Sequence, residues 1–336
     1  MSPADLACDS DWISRNSMHP QRVLITGSSG FYGRAVIGAI RQAWPSADIL
    51  GLDIVPPKSD PPNRFQKCDI TDPGLRAHVV QFQPDTILHL AFVVNPMRDE
   101  GRMHRINVEG CRNLLAVAAE VNPARLLVSS SATAYGAWPD NPIPLTEKHP
   151  LRTRSEYRYA DDKFQVEIQL QAFASANRDI AVSWTRPSII YGPGVTNFMI
   201  PLFTVPPVLT LPGGSNPEMQ FVHLEDVANA TVSILRINAR GAFNLAPPDW
   251  ITIKDLAKMS GRLALPVPFV MCRALTASWW ALRLPIFLFP SSLWSFIRYP
   301  WVVSPERLMT EVGFRFKYSS VDVIRQLLKD AGKLKS

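Results

Sequence analysis

Cysteine is scarce and scattered. Cys8, Cys68, Cys111 and Cys272 are the four in 336 residues, and no two form a C-x-x-C pair. That excludes a zinc ribbon or a disulfide scaffold and fits a reducing, cytoplasmic compartment. The six histidines are equally dispersed, with no H-E-x-x-H, so no metal site is expected. Charged residues are also few, 19% against 46% apolar, which excludes a disordered chain or a coiled coil. No Lys/Arg run with interleaved aromatics is present, so nucleic acid is not an expected partner. Long apolar runs are lacking too. The stretch 187–217 carries no charge but is broken by prolines, and the uncharged run 284–297 is too short to span a bilayer.

Acidic residues are missing from one region in particular. From Arg262 to the end there are 11 Lys+Arg and 4 Asp+Glu, a balance of +7, so the net +6 leaves −1 for everything before it. Residues 263–305 hold no acid, three arginines (Arg273, Arg283, Arg298) and four of the nine tryptophans (Trp279, Trp280, Trp294, Trp301). Between 269 and 284, Arg273, Thr276, Trp280 and Arg283 recur at helical spacing as a narrow polar edge on an apolar helix. Two readings stand: buried core of a small lobe, or a surface for lipid or an apolar substrate, with peripheral membrane contact through 263–305.

At about 150 residues per domain, the length suggests two domains or one large one. Residues 1–20 contain Asp5, Asp9 and Asp11 and no apolar core of a signal peptide, and are expected to be a flexible extension. Residues 21–190 alternate short apolar strands (Val23–Ile25, Ile49–Leu52, Thr86–Leu90, Arg125–Ser129, Ile180–Thr185) with helices such as Ala35–Trp44, Met103–Glu120 and Tyr159–Ala176. This alternation predicts an α/β fold with a parallel sheet covered on both faces. Residues 191–336, rich in proline, are expected to form a smaller C-terminal substrate lobe. Segments near 221–246, Phe221–His223 and Ala242–Asn244, are candidates to return to the sheet.

Thr26-Gly27-Ser28-Ser29-Gly30-Phe31-Tyr32-Gly33 lies between a strand and a helix. Glycines there let the backbone turn tightly and approach a pyrophosphate resting on the helix N-terminus. Asp53 closes the next strand twenty residues beyond Gly33, where a carboxylate accepts hydrogen bonds from ribose hydroxyls. A carboxylate would repel a 2′-phosphate, so the pattern favours NAD over NADP and a doubly wound Rossmann sheet.

Tyr159-Ala160-Asp161-Asp162-Lys163 sets a tyrosine and a lysine one helical turn apart on one face. A neighbouring ammonium stabilises a phenolate, so Tyr159 is expected to exchange a proton with a carbinol oxygen. Tyr157 is a decoy, because Asp161 stands four residues on. A third hydroxyl comes from Ser129-Ser130-Ser131-Ala132-Thr133, after an apolar strand whose C-terminal end faces the crevice of such sheets. Ser131 is the first choice and Thr133 the alternative; simple capping of the next turn is the bland one.

In combination these motifs resemble the extended short-chain dehydrogenase/reductases of the NAD-dependent epimerase/dehydratase superfamily. The resemblance runs from about Arg22 to Ala246. It includes the glycine string, Asp69-Ile70, His89-Leu90-Ala91, Asn107-Val108-Glu109-Gly110, the Ser131/Tyr159/Lys163 triad and Glu167. Arg186-Pro187, Tyr191-Gly192-Pro193-Gly194 and Phe221-Val222-His223 with Asp226 complete it. It implies NAD contacts at Gly27, Ser29, Gly30, Phe31, Tyr32, Gly33, Asp53, Asp69, Ile70, Leu90, Ala91, Asn107, Tyr159, Lys163, Arg186 and Pro187. It also implies structural roles for His89 and His223, a small-molecule substrate, and a homodimer through the helices 103–120 and 159–176.

The superfamily divides between nucleotide-sugar epimerases or dehydratases and net alcohol–ketone oxidoreductases. Three departures weigh against a nucleotide sugar: Ile189 where asparagine is common, Met219 where arginine is common, and no R-x-G-D in the C-terminal lobe. A diphosphate without charged partners loses favourable hydrogen bonds. Arg186-Pro187 followed by Ile189-Ile190-Tyr191-Gly192-Pro193 is similar to the 3β-hydroxysteroid dehydrogenase-like branch, which implies a sterol-, steroid- or isoprenoid-like substrate. Against that, Arg262, Arg273, Arg283, Arg298 and Arg307 are available to grip a diphosphate. A non-catalytic NAD sensor would be expected to have lost Tyr159 or Lys163, and both are present.

Overall fold

The computed structural model describes residues 19–282 and 289–335. Most of the expected N-terminal extension, Arg283 and the start of the uncharged run at 284–288 lie outside the described residues.

Six strands form the body of one sheet: β1 (Arg22–Thr26), β2 (Asp48–Asp53), β3 (Arg64–Lys67), β4 (Thr86–His89), β5 (Arg125–Ser129) and β6 (Ala181–Pro187). The chain then makes β7 (Ile189–Tyr191), β8 (Val208–Pro212), β9 (Glu218–Met219) and β10 (Phe221–His223) outside that sheet. It returns with β11 (Gly241–Leu245) and leaves again for β12 (Ile251–Thr252) and β13 (Leu263–Val267). The seven-stranded order is β11-β6-β5-β4-β1-β2-β3, every neighbouring pair parallel. β5 and β6 are buried along their whole length, as expected of strands covered on both faces.

The strand order reverses between β1 and β4, and a crevice opens there beyond their C-terminal ends. Ala242–Asn244 rejoins the sheet as anticipated. Phe221–His223 does not: it pairs with β7 in a separate two-stranded ribbon. The helix expected over 103–120 is interrupted. Glu100–His104 and Gly110–Val121 are α-helical, and Arg105–Glu109 between them is a wider π turn. Such turns often mark sites where a side chain is needed off the regular helical register. Here Asn107 is fully buried, donating to Val93 O at 3.2 Å and Asp162 Oδ2 at 3.1 Å and accepting from Val93 N at 2.8 Å.

The acid-free segment divides between the two readings. Leu293, Trp294, Phe296, Ile297, Trp301 and Val303 are buried in the small-lobe core. The helix Phe269–Ala281, by contrast, leaves Val270, Met271 and Leu275 exposed. Thr276 was placed on the polar edge by its spacing but points inward at 2% exposure, donating to Cys272 O and accepting from Trp294 Nε1. Of the narrow polar edge expected there, Thr276 thus serves the buried tryptophan, while Arg273 is exposed.

A buried ion pair ties the helix Arg158–Ala176 to the sheet. Glu167 is fully buried and accepts from Arg186 Nη2 at 2.5 Å, Ser130 Oγ at 2.5 Å and Trp184 Nε1 at 2.8 Å. Glu167→Ala would leave Arg186 charged and uncompensated, so urea unfolding should show a loss of about 3–5 kcal/mol. A loss below about 1 kcal/mol, the level of an exposed pair, would refute this structural role.

Candidate active site

The glycine turn follows β1. Gly27 has φ +73°, and a Cβ added there would lie 2.7 Å from the Ala91 backbone nitrogen. A Cβ at Gly33 would lie 2.3 Å from Gly27 O, so the turn and the helix Phe31–Ala43 close together only without side chains. Gly30 begins that helix with no side-chain cap, which leaves its first amides for a ligand. Asp53 Oδ2 accepts from Ser29 N at 2.9 Å and Oδ1 from Val55 N at 3.1 Å, fixing the carboxylate at the end of β2. A cavity of about 190 Å³ runs past Gly27, Gly30, Asp53, Asp69, Ile70 and Ala91.

A second cavity, about 150 Å³, shares Gly27, Gly30, Leu90 and Phe92 with the first. Ser131, Tyr159 and Lys163 lie on its wall. Ser131 is set by the strand end. Its Oγ accepts from Thr133 N at 3.2 Å and Thr133 Oγ1 at 2.9 Å, which leaves its own proton to donate. Both candidates left open by the sequence border the cavity, with Thr133 donating to Ser131. The Tyr159 hydroxyl hydrogen-bonds Ser131, and burial pushes it up to about 12, against the lowering effect of that bond.

Lys163 Nζ donates to Ser129 O at 2.6 Å and sits 3.1 Å from the centre of the Phe92 ring. Burial pulls the ammonium down to about 7, opposed by the charges of Asp162 and Glu167 among others. The sequence argument expected the lysine to lower the tyrosine. In the structure desolvation dominates both groups, because each is enclosed and Nζ is 5.7 Å from the Tyr159 ring.

The sequence-derived residues do not all converge. Phe31, Tyr32, Gly33 and Pro187 border the second cavity, although the Tyr32 hydroxyl is engaged with Thr231 at 2.7 Å. Ser29 turns its hydroxyl to Val55 O. Asn107 and Arg186 line neither cavity: the first clamps the Val93 backbone, the second is spent on Glu167 and Tyr135. His89 is held by Thr26 Oγ1 at 2.7 Å and lowered to about 3 by burial and then by Lys163, while His223 accepts from Glu225 N at 3.2 Å at a helix start. Both are structural. Phe92, Phe198, Met199 and Trp301 border the catalytic cavity without having been singled out for it, since aromatic and apolar residues carry no local motif. Among the described residues no cluster of His, Cys, Asp or Glu could hold a metal.

Residues 23–246 match the model of the NAD dependent epimerase/dehydratase family. The chain belongs to that family. An uncharacterized protein of Mycobacterium tuberculosis is 23% identical over 327 residues, 95% of this chain and 86% of its own. A 3-diazoavenalumate denitrifying reductase of a Streptomyces species is 25% identical over 235 residues, 67% of this chain and 75% of its own. Among solved structures, the Thermus thermophilus UDP-glucose 4-epimerase in complex with NAD superposes with a TM-score of 0.69. It is 21% identical, over 93% of this chain and 99% of its own. The dTDP-glucose 4,6-dehydratase of Bacillus anthracis in complex with NAD also gives 0.69, at 18% identity over 92% and 97%.

This family member is therefore an NAD-dependent enzyme of the extended short-chain dehydrogenase/reductase type with a Rossmann-like fold. The uncapped helix start, the side-chain-free approach at Gly27 and Gly33 and the fixed Asp53 carboxylate fit the dinucleotide. Asp53→Ala should weaken NAD binding by about 1.5–3 kcal/mol, the range for a charged hydrogen bond. It should also narrow the preference over NADP. Calorimetric titrations with both cofactors check this, and an unchanged NAD/NADP ratio would remove Asp53 from the ribose site.

Proposed function

We propose that this enzyme interconverts a secondary alcohol and a ketone on an apolar substrate, with Ser131, Tyr159 and Lys163 as its working groups. The observation that carries this is the disposition of charge around the substrate side. The catalytic cavity is walled by Phe92, Val94, Tyr157, Ile189, Met199 and Trp301, and Arg262, Arg298 and Arg307 are engaged elsewhere, Arg283 lying outside the described residues. Arg262 donates to Phe203 O and Pro206 O, and Arg307 donates to Ala242 O and pairs with Glu311. Arg298 stacks on Phe269 and Tyr299, and Arg273 is exposed. Ile189 and Met219 are both buried in the apolar cluster of the small lobe.

The bound cofactor supplies the hydride acceptor for oxidation or the donor for reduction. Ser131 donates a hydrogen bond to the substrate oxygen, held for this by the two bonds it accepts from Thr133. Tyr159 carries the proton. With its hydroxyl held near 12 it is protonated at neutral pH, ready to donate to a ketone oxygen as the alcohol forms. In the reverse direction it must first lose that proton. Lys163, pinned by Ser129 O and drawn down to about 7 by burial against the charges of Asp162 and Glu167, favours the phenolate in its protonated form.

A second reading, nucleotide-sugar epimerisation or dehydration, is favoured by the structural neighbours, a UDP-glucose 4-epimerase and a dTDP-glucose 4,6-dehydratase. Titrating the NAD-loaded protein with UDP, dTDP and GDP decides between them. The apolar reading expects no binding by any of the three, and micromolar binding of one would overturn it. Tyr159→Phe should lower turnover by about 10²–10⁴-fold and leave NAD affinity unchanged. Loss of NAD binding in that variant would refute the assigned role.

The pH dependence has a fixed sign. With the Tyr159 hydroxyl held near 12, oxidation, which needs the deprotonated tyrosine, should rise from about pH 6 to about pH 9, while ketone reduction, which uses the protonated form present throughout, should stay nearly level. Initial rates of NADH formation and consumption check both arms. An oxidation rate that falls with pH would remove Tyr159 as the proton acceptor.

A further inference from the structure

Beneath the helix Phe269–Ala281 lies a cavity of about 350 Å³ apart from the two described above, within the roughly 300–1,000 Å³ range of small-molecule sites. Its walls include Leu202, Phe203, Leu209, Met271, Leu275 and Trp294. None of its lining residues is Asp, Glu, Lys, Arg, His, Asn or Gln. The Thr276 hydroxyl on its wall is already engaged twice, donating to Cys272 O at 2.8 Å and accepting from Trp294 Nε1 at 2.7 Å. Water gains little in such a space, because it needs two to four polar partners to stay. An apolar ligand needs none.

The cavity shares its supports with the catalytic one. Asn197–Met199 border the catalytic cavity, and Leu202 and Phe203, a few residues on, border this one. On the other side Trp301 faces the catalytic cavity, and Trp294 and Ile297 face this one. Phe296, on the same short helix as Trp294 and Ile297, packs 5.2 Å from the Tyr157 ring and 5.6 Å from the Trp301 ring, both on the catalytic side. At the far end of the helix Arg98 donates to Trp280 O at 2.6 Å and stacks on its ring, linking the helix to the segment that carries Phe92 and Val94.

We infer that this cavity holds a hydrocarbon chain, the apolar tail of the substrate whose alcohol or ketone meets Tyr159. The inference rests on the apolar-substrate reading above and adds where the tail goes. A nucleotide base or a diphosphate finds no charged partner in these walls, and a hydrocarbon loses no hydrogen bonds on entering them. Met271 and Leu275 are each about half exposed, so the chain enters beside a helix that already presents apolar side chains to its surroundings.

The test uses the full chain without cofactor and two fillings of the cavity, Met271→Trp and Leu275→Trp. Both positions are partly exposed, which keeps the fold out of the readout, and melting curves confirm it. Val270→Trp, on the same helix but outside the cavity, is the control. Fluorescence titration with cis-parinaric acid should show saturable binding that 1-dodecanol displaces. Each filling variant should weaken it by about tenfold or more, and the control should not change it. No saturable binding, or equal affinity in all four proteins, overturns the inference.

Turnover of 2-dodecanol and 2-butanol, measured alongside, separates this inference from the reaction it rests on. A higher KM for 2-dodecanol alone in Met271→Trp supports the tail site. Unchanged KM for both alcohols overturns the tail site and leaves the reaction standing. If neither alcohol is turned over while probe binding still responds to the two fillings, the reaction reading fails and the hydrocarbon site stands.

Discussion

A carboxylate without solvent contact, Glu167, joins the end of β5, the strand β6 and the helix that carries Tyr159 and Lys163. Burial works against the Arg186 charge, yet the hydrogen bonds and charge of Glu167 hold the guanidinium above its ordinary range. Arg186 in turn donates to the Tyr135 hydroxyl at 2.5 Å, which donates to Asn244 Oδ1 in β11. Four segments distant in sequence are thereby locked in register. A buried network of this kind is sensitive to any missing partner, since each unpaired group would face a low-dielectric surrounding. The distance between Ser131 on its strand end and Tyr159 on its helix depends on that lock more than on either element alone.

The same enclosure sets the chemistry. Tyr159 and Lys163 are shifted in opposite directions by one cause, the loss of water around both, and each shift favours the neutral form. The tyrosine stays protonated at neutral pH, and the lysine is poised between its charged and neutral forms. Asp162 adds to this balance from the lysine's other side. It is itself raised by burial and is held by His104 Nδ1 at 2.8 Å and by Asn107. The π turn that frees Asn107 thus reaches the ammonium through one carboxylate.

What the sequence disclosed follows from how local each signal is. The glycine turn, Asp53, and the Tyr159/Lys163 pair are set by spacing along one strand or helix, and all border one or other of the two cavities. The five strands expected in the first half are present within a residue or two at each end. β3, with exposed residues along much of its length, has no apolar alternation to reveal it. Asn107 and Arg186 were drawn to the cofactor by motif, but their partners are backbone and side chains brought in from elsewhere by the fold. Trp301 and Met199 reach the catalytic cavity only through tertiary packing of the small lobe, for which periodicity gives no sign.

The arginines of the C-terminal lobe show how residue type alone leaves their use open. A balance of +7 over the last part of the chain reads as an invitation to phosphate. In the fold, Arg262 and Arg307 are consumed by backbone carbonyls, and Arg298 lies flat on aromatic rings. A guanidinium with five donors in a fixed fork can hold loops together as readily as it can grip an anion. Turned to that work, these side chains brace an apolar lobe instead of offering charge to a ligand. Buried tryptophans beside them need partners of their own: Trp294 donates its N–H to the inward-facing Thr276, while Val270, Met271 and Leu275 of the same helix stay exposed.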